Sequence, residues 1–475
     1  MNKRTLSIFL ALLLCTSCGT AEVAEDTTTT QPEETTQQSA FDKLPTQDFG
    51  GMDFNLLIYS DDQSPLTFFD CDEQTGEVLD DAIFRRNAAV EERFNIKINT
   101  DAFPTQNANM YTAIGPNVMA GDEPYSLYVM HTSQGPIGVL TDNLAMNWRD
   151  LSSVDLEAAW WNQTIHEEIE IDGYLPFAVS DFDLPSYAFS TALIFSKNVL
   201  AEYKLEDPYA LVREGKWTLD KFSEQVIAAS GDADGNGIFD ESDQYGFASN
   251  ITYHPQAFLT SSDLKMVSMS KDGFSLTMDM ERFDALLGGL HTLFNVEKVT
   301  FRIPHDELCP IPFDNDQILH TLVWLSQLEY YRDSNADYGI IPLPKLDETQ
   351  DRYYTLANRR GCVMTIPINA ADPERTGLIV EALSILSHES VIPVYYDTIL
   401  STKYTRDEQS LEMLEIITDG IKYDFGYFYP HNYTSTSILN LLKNASTASA
   451  SYFASHLDSA QVYYQEILDY HLANK

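Results

Sequence analysis

Phe54-Asn55-Leu56-Leu57-Ile58-Tyr59, followed at once by Ser60-Asp61-Asp62-Gln63, opens the part of the chain that can fold. An apolar run that stops at four polar residues reads as a buried strand running into a loop. Beyond the break at Thr75-Gly76-Glu77, Leu79, Ile83, Val90 and Phe94 fall at helical spacing, so Leu79 to Phe94 is expected to be a helix. Ile96-Lys97-Ile98-Asn99 alternates as a second strand. About Ala108 to Met119 reads as another helix, open to interruption at Gly115-Pro116, and Ser126 to Met130 as a third strand ending at His131-Thr132-Ser133. This β-α-β-α-β order predicts a parallel sheet with helices on its faces. Ligands of such sheets bind beyond the carboxyl ends of the strands, where the polar runs 60–63 and 131–134 sit.

Working outward, Ala192 to Phe195 reads as a buried strand and Lys197 to Tyr203 as a helix. Asp207 is placed to cap a helix that starts at Pro208, and Thr218 to cap one reaching Ala229. Asp316 to Tyr331 is expected to be helical. Tyr338 to Pro342 and Cys362 to Pro367 read as strands, Pro373 to Ser387 as a helix, and the last hundred residues as mostly helical.

The chain has 475 residues with 72 acidic and 29 basic side chains, a formal charge of −43, and 44% hydrophobic residues. That apolar content supports a large core in two or three domains. The charge argues against nucleic acid, which needs clustered Lys and Arg. Residues 1–17 have the proportions of a secretory signal: basic Lys3-Arg4, then an apolar run too short for a helix across a bilayer of ~30 Å. Small Thr16-Ser17 before Cys18 resemble a bacterial lipobox, so Cys18 is expected to be lipidated. Residues 18–48, with their Thr run, Gln and Glu, read as a disordered tether. No other apolar stretch is expected to cross a membrane. Cys71, Cys309 and Cys362 are too few for a disulfide framework, and one bridge stays open.

The sharpest local motif is Asp232-Ala-Asp234-Gly-Asn236-Gly237-Ile238-Phe239-Asp240-Glu-Ser-Asp243. It matches a calcium loop, in which oxygens at alternate positions wrap one hard cation. Asp232, Asp234 and Asn236 supply side-chain oxygens, Ile238 its carbonyl, Asp240 a contact through water, and Asp243 stands at the closing position usually held by Glu. The alternative is an Asp/Gly-rich turn without an ion. Trp160-Trp161, Phe182, Tyr187, Trp324, Tyr330-Tyr331 and Tyr353-Tyr354 lie near polar residues, as aromatics that stack on sugars do. Core packing is the competing reading for each. No serine-hydrolase, zinc-protease, Walker or dinucleotide motif occurs.

The order of these features resembles the extracellular solute-binding lipoproteins of ABC transporters, sugar-binding type. The resemblance rests on the lipobox, the opening strand and helix, Ala120-Gly121-Asp122-Glu123-Pro124-Tyr125-Ser126-Leu127-Tyr128, the run Leu193 to Leu200, and Asp337-Tyr338-Gly339-Ile340-Ile341-Pro342-Leu343-Pro344. Tyr125-Ser126 and Ser196-Lys197-Asn198 depart from the family's usual residues. The resemblance implies an α/β, two-lobed type II periplasmic-binding-protein fold with a crossing-strand hinge. Lobe one would be 49–178 plus 310–360, lobe two 190–309 plus 368–475, with crossings near 179–189 and 361–367. It implies no catalysis. A small solute, a sugar or oligosaccharide by preference, would be held between the lobes and passed to an ABC permease at the outer face of the cell membrane. Ligand contacts would come from Asp61, Asp62, His131, Thr132, Ser133, Asp181, Asp183, Trp324, Arg359 and Arg360. A peptide, a polyamine, or surface glycan binding without transport are the alternatives.

Overall fold

A computed structural model describes residues 39–61, 64–103, 109–132, 135–252, 254–296, 299–303, 310–332, 334–358, 360–397 and 405–474. The signal, Cys18, Cys309, Asp62, Ser133 and Arg359 lie outside them. Residues 1–43 form one unit, of which a short turn of 3-10 helix, Phe41–Lys43, is described. The second unit begins at Leu44, earlier than the expected end of the tether. Its first residues are fastened to the body, because the Arg93 guanidinium donates to Leu44 O and the Asn95 amide to Asp48 Oδ1 at 2.7 Å.

The opening strand β1 runs Met52–Tyr59, and β2 (Ile96–Phe103) and β3 (Leu127–His131) lie parallel to it on either side. The helix Val78–Phe94 links β1 to β2. It buries Ile83, Val90 and Phe94 and ends on Asn95 in the left-handed conformation, which Asn tolerates.

The second sheet is built from β4 (Thr191–Ser196), β5 (Tyr245–Ser249), β8 (Thr300–Arg302), β9 (Ile318–Trp324) and β10 (Tyr338–Ile341), in the order β10-β4-β9-β5-β8. Before β8, the strands β6 (Val267–Ser270) and β7 (Gly273–Leu276) form a separate hairpin. The helix Leu219–Ala228, capped by Thr218 as expected, lies directly on β5. A Cβ at Gly246 would stand 1.9 Å from Val226 O, so only glycine allows this approach.

After the short strand β11 (Thr355–Leu356), β12 (Cys362–Thr365) joins the first sheet antiparallel to β3. β11 itself pairs with β13 (Ile421–Lys422). Each main sheet is thus mainly parallel with one reversed strand: β12 in the first, β4 in the second. In both cases that strand is the one that arrives from the other sheet.

Three expectations are corrected. Ile318 to Trp324 is a strand buried on both faces, not a helix, and only Leu325 to Tyr331 winds helically. A continuous apolar run carries no period that separates the two. Because β9 and β10 both pair with β4, residues 318–341 belong to the second lobe, not the first. The region after 367 does not belong to the second lobe alone. The helix Pro373–Leu386, continued by the π-type turns Ser387–Val391, packs on the helix Val78–Phe94 of the first lobe. By length and composition Pro373–Asp397 is apolar enough to cross a membrane, but more than half of its apolar window is buried, as in a core helix.

Candidate functional site

The carboxyl ends of β1 and β3 and the start of β12 meet at one place. The chain after Tyr59 turns back on itself: Asp61 Oδ1 accepts the Ser64 amide at 2.8 Å, and the Asp61 amide donates to Ser64 O. This fixes the Asp61 carboxylate, whose Oδ2 receives Arg360 Nη1 at 2.6 Å. Arg360 is positioned in turn by Asn358 Oδ1, which accepts its amide at 3.0 Å. His131 ends β3 with its ring 3.7 Å, centroid to centroid, from that of Tyr59, and Thr132 donates its amide to Gly361 O at 3.1 Å. Burial, reinforced by the Arg360 guanidinium, lowers the His131 pKa to about 3, so its ring is neutral.

From the other lobe come Trp324, at the carboxyl end of β9, and Phe189, just before β4. Their rings meet edge to face at 5.5 Å. The Arg360 guanidinium carbon lies 5.6 Å from the Trp324 centroid and 5.7 Å from that of Phe189, within reach of cation–π attraction. Arg360 therefore touches a carboxylate of the first lobe and two aromatic rings of the second. Of the residues read from the sequence, Asp61, His131, Thr132, Trp324 and Arg360 are brought together here. Tyr59 and Phe189 join them unanticipated. Tyr59 is the last residue of the quoted strand, and its place before the polar run was the signal available.

Asp181 and Asp183, expected among the ligand contacts, are buried and are not part of this surface. Asp183 is fully buried; its Oδ2 accepts the Cys362 amide at 3.0 Å and the Ser186 hydroxyl. Burial pushes its pKa up to about 7. Asp181 is buried too. One oxygen accepts the Tyr187 hydroxyl and the other meets His388 Nδ1 at 2.6 Å, which raises the pKa of His388. Several aromatics likewise pack inward: Trp161, Phe182, Tyr331 and Tyr353 are buried, while Tyr330 is exposed. Phe182 has Arg86 over its ring at 4.7 Å. Trp160 and Trp161 both donate their indole N–H to the two oxygens of Glu381, at 3.0 and 2.8 Å. Cys71 and Cys362 are buried free thiols.

The loop 232–243 sits between the helix Leu219–Ala228 and β5, closed by the antiparallel bridge Gly231–Gln244. Gly235 and Gly237 take positive φ, as the tight turn requires. Asp243 is buried and held by the amides of Ala233 and Asp240, at 2.8 and 2.7 Å. One carboxylate oxygen from each of Asp232, Asp234 and Asp243 lies within 4.8 Å of the others. Three hard oxygens gathered this closely fit a divalent cation of the calcium type. Asn236 turns its Oδ1 to the Ile238 amide and Asp240 its Oδ1 to Ser242, so these two contribute less directly. Phe239 is 40% exposed, with one edge against Tyr245.

No protein-family model matches the chain, and no curated protein matches it by sequence. Solved structures do share its fold. An ABC substrate-binding protein from Listeria monocytogenes, in complex with cycloalternan, is 12% identical with a TM-score of 0.54, over 86% of this chain and 98% of that one. The galacto-N-biose-/lacto-N-biose I-binding protein of the ABC transporter from Bifidobacterium longum, in complex with lacto-N-biose, is 12% identical with a TM-score of 0.57, over 90% of this chain and 99% of that one. A maltose/maltodextrin-binding domain from Bdellovibrio bacteriovorus, bound to maltotriose, is 13% identical with a TM-score of 0.52, over 89% and 99%. The chain has the two-lobed fold of these binding proteins.

Proposed function

We propose that the protein is an extracellular solute-binding protein that captures a neutral oligosaccharide between its lobes and hands it to an ABC importer, breaking no bond. The observation that carries this reading is the junction of Asp61, Arg360, Trp324 and Phe189. Trp324, 9% exposed, comes from one lobe with Phe189 fully buried beside it, and polar groups suited to hydroxyls come from the other. The solved structures of similar fold that hold saccharides support it. At this junction the charges of Asp61 and Arg360 cancel, and His131 is neutral. That balance favours an uncharged ligand over a polyamine. A lipid on Cys18 and a tether would keep the receptor beside its permease at the outer membrane face and raise their mutual concentration.

Calcium at Asp232, Asp234 and Asp243, with Asn236, Ile238 and Asp240 completing the loop, is proposed as a structural ion. It would neutralise three clustered carboxylates and lock the entry to β5.

Thermal unfolding against maltotriose, lacto-N-biose, peptides and spermidine tests both readings. One oligosaccharide class is expected to raise the midpoint with no product formed, because a ligand of the folded state stabilises by mass action. A rise with spermidine or a peptide alone would overturn the sugar reading. For the metal, EDTA is expected to lower the midpoint by about 3 °C, the shift that loss of an ion at ~100 times its Kd gives in a domain this large. The Asp243→Asn variant is expected to show no response to EDTA. An unchanged midpoint of the natural protein in EDTA would remove the ion from the account.

A further inference from the structure

The contacts of Asp183 lie where the chain passes between lobes. The first crossing runs alongside β12, with Ala178 and Met364 exchanging amide hydrogen bonds at 3.0 and 2.8 Å. A few residues on, Asp183 Oδ2 accepts the Cys362 amide, which is the first residue of β12 on the second crossing. The same oxygen accepts the Ser186 hydroxyl, and Ser186 Oγ accepts the Tyr423 hydroxyl at 3.0 Å. Tyr423 directly follows β13, the strand paired with β11 at the foot of the second crossing. Gly361 leaves room for this junction: a Cβ there would lie 2.7 Å from Ser186 Oγ. The junction is enclosed, since Asp183, Ser186, Cys362 and Tyr423 are all buried.

A buried carboxyl is costly, and nothing among the described residues pairs it with a cation. Its placement is explained if the acceptor is needed where it stands. We infer that the Asp183 carboxyl is a positioning group of the hinge, fastening the first crossing to the second and, through Ser186, to the Tyr423 segment, so that it sets how the lobes are held. This rests on the two-lobed capture reading, but its test needs no sugar and so fails independently of it.

The test compares natural protein, Asp183→Asn and Asp183→Leu, without ligand, by amide hydrogen exchange and small-angle scattering. An Asn oxygen can accept both bonds, so Asp183→Asn is expected to keep the Cys362 amide protected and the radius of gyration unchanged. Asp183→Leu, with no acceptor, is expected to speed exchange at Cys362 at least tenfold while β1 stays protected, and to raise the radius of gyration. If the Leu variant leaves Cys362 within twofold of the natural rate, or speeds β1 equally, the inference is overturned. Should the Leu variant not fold, Ser186→Ala decides. Removing the brace is expected to speed Cys362 exchange at least threefold with β1 unchanged, and no change at Cys362 would overturn the tie.

Discussion

Acidification from pH 7 to pH 4 is expected to unfold the protein, driven by its interior histidines. His131, His166, His254, His320 and His471 are all buried, and burial lowers each pKa to about 3. Each is neutral in the fold but titrates near 6.5 in the unfolded chain. The folded pKa lies below the unfolded one, so the stabilisation is complete above 6.5 and is lost as pH falls through the interval down to 3. At about 1.4 kcal/mol per pH unit, five such groups withdraw roughly 15 kcal/mol by pH 4.

Three carboxyls oppose this. Asp183 and Glu381 are pushed up to about 7 by burial, and Asp424 to about 6. Their folded values exceed the unfolded ones, so the penalty for ionising them grows with rising pH between about 4 and 7 and is relieved on acidification. That relief is worth about 8 kcal/mol by pH 4, roughly half of what the histidines withdraw. The net loss of about 7 kcal/mol is comparable to the whole stability of an ordinary protein. Circular dichroism across pH 8 to 3 should show cooperative loss of structure between pH 5 and 4. Unfolding at pH 5 should take up about two protons, five from histidine less the protons the carboxyls release. Native signal persisting at pH 3 would mean the histidines are charged or exposed in the folded protein.

The second large effect concerns the junction. Arg360→Ala removes the cation paired with Asp61, whose side chain is 8% exposed, and weakens the hold on that carboxylate. Removing one partner of a buried pair costs about 3–5 kcal/mol; with Arg360 27% exposed, about 2 kcal/mol is expected here. Affinity for the oligosaccharide should fall at least tenfold, because the side chain that reaches from Asp61 to Trp324 and Phe189 is gone. Asp61→Asn in the same background should restore most of the stability but not the affinity, since it removes the buried charge without rebuilding the bridge. Urea unfolding and calorimetric titration of the four proteins of this cycle separate the two effects. Full stability in Arg360→Ala would mean the pair is solvent-screened and does not organise the junction.

The first lobe was legible because its strands and helices are short, strongly periodic and punctuated by polar residues. Observed ends differ from the expected ones by only a few residues: Val78–Phe94 for Leu79 to Phe94, and Leu127–His131 for Ser126 to Met130. The turn at 232–243 was legible for the same reason, since its glycines and acids lie within twelve consecutive residues. The second lobe was harder. Ile318 to Trp324 has no period, and its assignment is decided by β4 and β5, its partners in the sheet. Trp324 therefore lies at the junction from the end of a strand, not from the helix on which it was expected. Asp181 and Asp183 were read as facing a cleft for a related reason. Two acids beside aromatics look like a wet surface until Cys362 and His388, far along the chain, close over them.

The most direct test of capture between lobes is small-angle scattering of the protein with and without the oligosaccharide that raises its unfolding midpoint. Ligand that bridges both lobes must bind the closed form more tightly than the open one to shift the population. The radius of gyration is expected to fall on saturation, and to fall less when the same sugar is added to Arg360→Ala at the lowest concentration that saturates the natural protein. A saturating sugar that leaves the radius of the natural protein unchanged would contradict the account, because the ligand would then sit on one lobe and the two-lobed architecture would not be used for capture.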